Sequence, residues 1–335
     1  MTSRLVRFLA CSLCAGLLAG AASAADPEWL GLVPRDAFVF GVNLERIKAA
    51  NLDELFLAAA LGGARGKQAP LTAAEKAIFG GARELLVAFP TDARGGRLLI
   101  MLSGSFGFTD VQAVASRSGM SMVEVQNAKV FSGPWGRPFW VALLEGTRIV
   151  AGDPRTVRSA IARQMPADGL GPAAVAKVRA LRSTYDFWVF TNSIPELFHG
   201  ARESPFSGAL TTELLDSIRE VSGGLTTTSA AKFSLDVVAR TEPDATGLAK
   251  ALRMELLELV AAHAQAYPLV GVLRGVDLKA EGSTVKIELV CSDAEWMKWM
   301  TSAPPRSEVV IQTAPADSGA APSSGDTGVV TLPGP

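Results

Sequence analysis

The chain has 335 residues, with 32 basic and 33 acidic side chains, two histidines and three cysteines. So even a balance leaves no cationic surplus to grip phosphate backbones, which argues against nucleic acid as a partner. Two of the cysteines, Cys11 and Cys14, lie in the first 24 residues; Cys291 is then alone and no internal disulfide is available.

Those first residues read as a removable leader. Arg4 and Arg7 precede an apolar run over 8–20, and Ala22-Ser23-Ala24 fits the small-x-small rule of signal peptidase. The run is shorter than the roughly 20 residues of a membrane span, and no later stretch is apolar enough to span. Cys11 follows Leu9-Ala10 and Cys14 follows Ser12-Leu13, neither a good match to a lipidation site. The expectation is a signal peptide over 1–24 and an exported mature chain, periplasmic or extracellular, with no stable membrane insertion after cleavage.

In chain order, "EWLGLVPRD" leads to a strand at 37–44, followed by a helical stretch "LERIKAANLDELFLAAAL" and a glycine-rich loop. A second helix starts around Leu71-Thr72 and runs into the strand "ELLVAFP". Then come the strand "RLLIMLSG", the helix "TDVQAVASRSG", and the strand segments "MVEVQNAKVF" and "PFWVALLEGTRIVAG". The helix "DPRTVRSAIARQ" closes this series, with Asp153 placed to accept free helix N–H groups and Pro154 at the first helical position.

The series then recurs. "AVAKVRALRSTYD" leads to "DFWVFTNSI" at 186–194, which matches "DAFVFGVNL" at 36–44 in its opening acid and its Val-Phe. "IPELFHG" takes the helix position, "TTELLDSIREV" precedes "GGLTTTS", and "AKFSLDVVART" answers "GRLLIMLSGSF". A long helix follows at "DATGLAKALRMELLELVAAHAQAY", then a hairpin with Glu281-Gly282 at its turn, as Glu145-Gly146 is in the first series. "DAEWMKWM" closes it, Asp293 standing opposite Asp153, with the apolar arc of Trp296, Met297, Trp299 and Met300 expected to dock on the sheet.

Strands that return through hairpins between helices predict an α+β fold with internal duplication. Two similar modules, 25–165 and 166–301, would each be mainly antiparallel sheet with helices packed on one face, and the modules packed on one another. Residues 302–335, rich in Pro, Ala, Ser and Gly and without an aromatic, read as a disordered tail. Its islets "VVIQ" and "VVTL" have the character of edge-pairing segments.

The layout resembles a group of exported bacterial proteins with no established activity. These open on a P-x-D-A-x-x-x-x-G-V-N strand and end a module with V-A-G-D-x-x-x-V-x-x-A-I. The matching residues here are Pro34, Asp36, Ala37, Gly41-Val42-Asn43, Val150-Ala151-Gly152-Asp153, Val157, Ala160 and Ile161. They are core and turn positions, so the resemblance implies a fold and no chemistry.

Candidate chemistry is thin. Ser105 sits between a strand and a helix, as in a nucleophile elbow, but Ser103 stands where the elbow wants glycine. A serine hydrolase using Ser105 would need His199 or His263, the two histidines present. "LGGARGKQAP" lacks the glycine and Ser/Thr of a Walker loop at Leu61 and Gln68. Glu196 with His199 and Glu258 with His263 miss the i, i+4 spacing of helical metal ligands; neither metal nor cofactor is expected. His263 instead falls on the polar side of a helix whose Leu248, Leu252, Leu256 and Leu259 face the core. "GPWGRPFW" is a turn that presents Trp135 and Arg137 for stacking on a protein or small-molecule partner, unless Trp135 folds back over the sheet edge. The expected function is a non-catalytic binding protein with Trp135 and Arg137 as its contact residues.

The leader is directly testable. Intact-mass analysis of exported protein should place the mature N-terminus at Ala25, and a diacylglyceryl-modified Cys11 or Cys14 would overturn the assignment.

Overall fold

The computed structural model describes residues 30–35, 37–50, 71–90, 98–134, 138–162, 169–192, 209–227, 231–263, 273–292 and 294–295. Strand β1 (Ala37–Asn43) runs straight into helix α1 (Leu44–Ala49). Helix α2 (Ala73–Gly81) starts at a capping box, in which Thr72 Oγ1 accepts from the Glu75 N–H at 3.3 Å and Glu75 Oε2 accepts from the Thr72 N–H at 2.8 Å. It feeds β2 (Ala82–Pro90), then β3 (Leu99–Gly104) and helix α3 (Phe108–Arg117). Two hairpins follow: β4 (Ser121–Val125) with β5 (Ala128–Pro134), and β6 (Pro138–Leu144) with β7 (Arg148–Gly152). Helix α4 (Pro154–Ile161) is capped by Asp153, whose carboxylate accepts from the N–H groups of Arg155 at 3.0 Å and Thr156 at 3.1 Å.

The second series begins with helix α5 (Pro172–Thr184) and β8 (Phe187–Thr191). Helix α6 (Thr212–Ser217) runs directly into β9 (Ile218–Thr226), and β10 (Ala231–Ala239), helix α7 (Glu242–His263), β11 (Asp277–Glu281) and β12 (Thr284–Cys291) complete it. The turn glycines Gly146 and Gly282 sit at φ +67° and +57°, where a side chain is disfavoured. At residues 292–295 a reciprocal pair of bonds forms: the Ser292 hydroxyl accepts from the Glu295 N–H at 3.3 Å, and Glu295 Oε2 accepts from the Ser292 N–H at 3.0 Å. Asp293 itself lies outside the described residues.

The twelve strands of the described residues form one antiparallel sheet, in the order β11-β12-β10-β9-β8-β1-β2-β3-β7-β6-β5-β4. The two series therefore meet edge to edge, through β1 and β8, instead of packing one module on another. Val39 lies opposite Phe190, and Phe40 opposite Val189. Paired residues share a face, so Val39 and Val189 stand on opposite faces. The Val-Phe match between the two strands is thus one residue out of step with the sheet, and in a strand one residue exchanges inside for outside.

Helices cover both faces, which corrects the expectation of one. Val39, Leu86, Met101, Val150 and Trp188 form a core under α4, α5 and the Leu30–Val33 segment. Val42, Phe131, Phe187 and Ile149 lie on the reverse, under α1, α2 and α3. The reason is legible in β2 and β3, whose "LLVAF" and "LIML" are continuous apolar runs, as buried strands require on both faces. Strands β10 and β12 alternate instead. Val237 and Val285 pack with Leu278 under α6 and α7, while Lys232, Asp236, Lys286 and Glu288 occupy the other face. On α7, Leu248 is buried, and Leu252 and Leu256 pack on the same core. Leu259 and the His263 side chain lie outside the described residues.

Gly41 is the tightest point of the join. A Cβ there would stand 2.0 Å from Trp188 Cε2. Gly41→Ala should therefore lower stability by about 1–3 kcal/mol, because the buried indole must leave its place. Gly80→Ala, in open space within α2, should be neutral or stabilising by about 0.4–1 kcal/mol. Thermal unfolding of the two variants checks both; equal melting temperatures would mean that the indole does not pack on β1.

Candidate functional site

The buried charged side chains of the described residues, Glu84, Arg182 and Asp186, lie where the two series meet. The sheet register sets Asn43, Glu84, Ser103 and Arg148 side by side on the face beneath α5. Arg182, on α5, reaches down to this row. Its Nε and Nη2 donate to Glu84 Oε1 and Oε2, each at 2.6 Å, a two-pronged ion pair with both side chains about nine-tenths buried. Burial pushes the Glu84 carboxyl up, and the charge and hydrogen bonds of Arg182 pull it only part of the way back. Asn43 Oδ1 is buried beside this pair and accepts no hydrogen bond. Leu30, Leu86 and Met101 wall a small pocket whose polar lining is Glu84, Ser103, Arg148 and Arg182. It has about the room that one water needs.

A second ion pair crosses the same join. Arg46 of α1 donates to the Asp186 carboxylate, which is fully buried. The same carboxylate accepts from the Thr227 N–H at 2.8 Å, and the Asp186 carbonyl accepts from the Asn43 N–H at 3.0 Å. On α5, Lys177 stands 3.4 Å from Glu220 of β9. One helix thus holds a glutamate of β2 and a glutamate of β9.

The residues singled out from sequence are scattered. Ser105 is exposed between β3 and α3, and its N–H donates to the Gly81 carbonyl at 3.0 Å. The helix that ends at His263 packs on β10, β11 and β12, separated from β3 by four strands of the sheet. His199, Glu196, the 61–70 loop and the 296–300 arc lie outside the described residues, as do residues 1–24 and 302–335. So do Trp135 and Arg137; on either side of them Pro134 pairs with Pro138 at the end of β5 and β6. Just inside that pair Phe139 and Trp140 pack into opposite cores, with the Arg158 guanidinium 4.8 Å from the Trp140 ring centroid. Cys291 is buried, and desolvation, helped by Glu295, pushes its thiol up to about 11, so it is protonated at neutral pH. Among the described residues no group of three His, Cys, Asp or Glu could hold a metal, and no helix is long and apolar enough to cross a membrane.

Sequence reasoning missed the Glu84–Arg182 pair. Its signal was a charged residue at an inward position of β2, which a fully buried strand tolerates only with a partner. Glu84→Gln would leave a buried guanidinium without its counter-charge, at a cost of about 3–5 kcal/mol. The double replacement Glu84→Leu with Arg182→Met should recover most of that loss. Urea unfolding of the single and double variants decides; losses that simply add would mean the two groups do not act as a pair.

No family model matches the sequence, and no curated protein does. Among solved structures, TP0453 in its crystal form IV is similar, with a TM-score of 0.50 and 13% identity, covering 82% of this chain and 95% of that one. Crystal form III of the same protein gives a TM-score of 0.50 and 13% identity over 84% of this chain and 100% of that one. At this identity the likeness is one of fold: an α+β protein built on a large antiparallel sheet.

Proposed function

We propose that this chain is an exported, non-catalytic protein that binds a protein or small-molecule partner, built from a duplicated α+β module. The order of strands outward from the join supports the duplication. It runs β1-β2-β3-β7-β6 on one side and β8-β9-β10-β12-β11 on the other, with β5 and β4 added to the first. Both α2–β2 and α6–β9 are helices that run into strands without a loop. Counted from those junctions, Glu84 and Glu220 hold the same place. In this reading modules 25–165 and 166–301 share α5 as a clasp.

One observation carries the binding reading. The buried carboxylates at the join, Glu84 and Asp186, are each saturated by a guanidinium from across it. Committed to holding the modules together, they are unavailable as acid or base. The pocket beside Glu84 combines groups from both modules but has room for about one water, so it is part of the join and not a ligand site. The turn between β5 and β6, with Trp135 and Arg137, is the proposed contact surface.

Paired measurements of thermal unfolding and partner capture from the native envelope fraction test this. Ser105→Ala should match wild type in both, since most surface changes stay within about 0.5 kcal/mol. Trp135→Ala should keep its melting temperature and lose capture, by roughly 2 kcal/mol or more if the indole is a hot spot. Activity lost in a normally folded Ser105→Ala would establish the hydrolase instead, and undiminished capture by Trp135→Ala would remove the β5–β6 turn as a site.

A further inference from the structure

We propose that strand β4 is a self-association edge, through which two copies of this chain pair antiparallel and join their sheets. An outermost strand presents a row of backbone donors and acceptors that invites another strand, and proteins usually block it with Lys, Pro, a bulge or charge. The two outer strands of this sheet are treated very differently. β11, "DLKAE", exposes Asp277, Lys279 and Glu281. Paired with a copy of itself about Lys279, it would set Lys279 against Lys279 and Asp277 against Glu281, like charge on like charge at every charged position. β11 is blocked against itself.

β4, "SMVEV", has no proline or lysine, and its register with β5 is unbroken. Met122 is 51% exposed and Val123 38%. The strand's one charge, Glu124, is already opposite Lys129 within the chain. Paired with a second copy about Val123, β4 sets Val123 against Val123, Met122 against Glu124 and Ser121 against Val125. No like charges are opposed, and the central Val123–Val123 pair is an apolar, β-branched one, which is favourable. The occupant is therefore a second copy, in an isologous contact. The tail's first apolar islet is a poorer fit for the edge. The backbone leaves the sheet at β12, ten strand positions from β4, or about 48 Å. The 17 residues between Cys291 and "VVIQ", at about 3.3 Å each, would have to run almost straight. The second islet, "VVTL", has the reach with 37 residues before it, and truncation at Ala303 separates it from a second copy.

A five-residue strand pair buries far less than the ~1,600 Å² of a standard interface, so the dimer should be weak and concentration-dependent. Light scattering across a dilution series of the mature protein should show a monomer–dimer equilibrium. Val123→Lys, which opposes two ammonium groups at the centre, should raise the dimer Kd roughly tenfold or more without changing the melting temperature. Val123→Cys should form a reducible intermolecular disulfide, because residues directly opposite in an antiparallel pair come within bonding range. Lys279→Val and truncation at Ala303 should leave the dimer intact. A wild-type protein monomeric at every concentration overturns the proposal, as does a well-folded Val123→Lys with unchanged self-association. Dimer lost on truncation at Ala303 would also overturn it, assigning the contact to the tail.

Discussion

The indole of Trp188 lies where any side chain at Gly41 would stand, and the whole sheet passes through that contact. Strands β1 and β8 are the one place where the first seven strands touch the last five as neighbours. Around it the chain spends its buried charge. Arg182 reaches Glu84 over one face, and Arg46 reaches Asp186 at the start of β8. Buried ion pairs add little net stability over a well-packed apolar contact, yet breaking one is severe. Their physical effect is selectivity: a register error at the join strands two carboxylates and two guanidiniums without partners, whereas an apolar seam would slide at small cost.

The faces of the sheet follow from which helices are at hand. Where α4 and α5 lie overhead, β2, β3 and β7 present Leu86, Met101 and Val150. On the same face further along, no helix of the described residues packs on β10 and β12, and their outward positions are Lys232, Asp236, Lys286 and Glu288. The ion pairs there, such as Lys232 with Glu288 and Lys286 with Glu281, are half exposed and individually contribute little. They keep a broad strand surface wet and mixed in charge. The sheet is thus apolar on both faces at its centre and on one face only towards β11.

What could be read from sequence was local. Thr72 and Glu75 flank a helix start, Asp153-Pro154 announces another, and Leu248, Leu252 and Leu256 recur at helical spacing; each is a short-range signal, and each element appears where it points. Ser292 is readable by the same rule, being three residues before Glu295. The partnership of β1 with β8 was not readable. Two strands that resemble each other are equally compatible with stacked modules and with edge-to-edge pairing, and only tertiary packing chooses. The helices of the reverse face were half legible, since the unbroken apolar runs of β2 and β3 already required cover on both sides. Trp135 and Arg137 rest on turn composition, which locates a hairpin tip and says nothing of what meets it.

The join has a consequence in time as well as space. β1 pairs with β2 across a short stretch of chain, and with β8 only after the whole first series has been laid down. Closing so long a loop costs little more entropy than closing one of half the length, about 0.6 kcal/mol per doubling, but the search is slower. While it lasts, β1 is an unfinished edge: "AFVFGVN", without a charge, and with a notch at Gly41 waiting for an indole. A chain emerging from its N-terminus therefore carries its most adhesive strand first and its cover last. Until β8 arrives, that strand can pair with the β1 of another unfinished chain, so any delay between the first series and the second lengthens its exposure to aggregation.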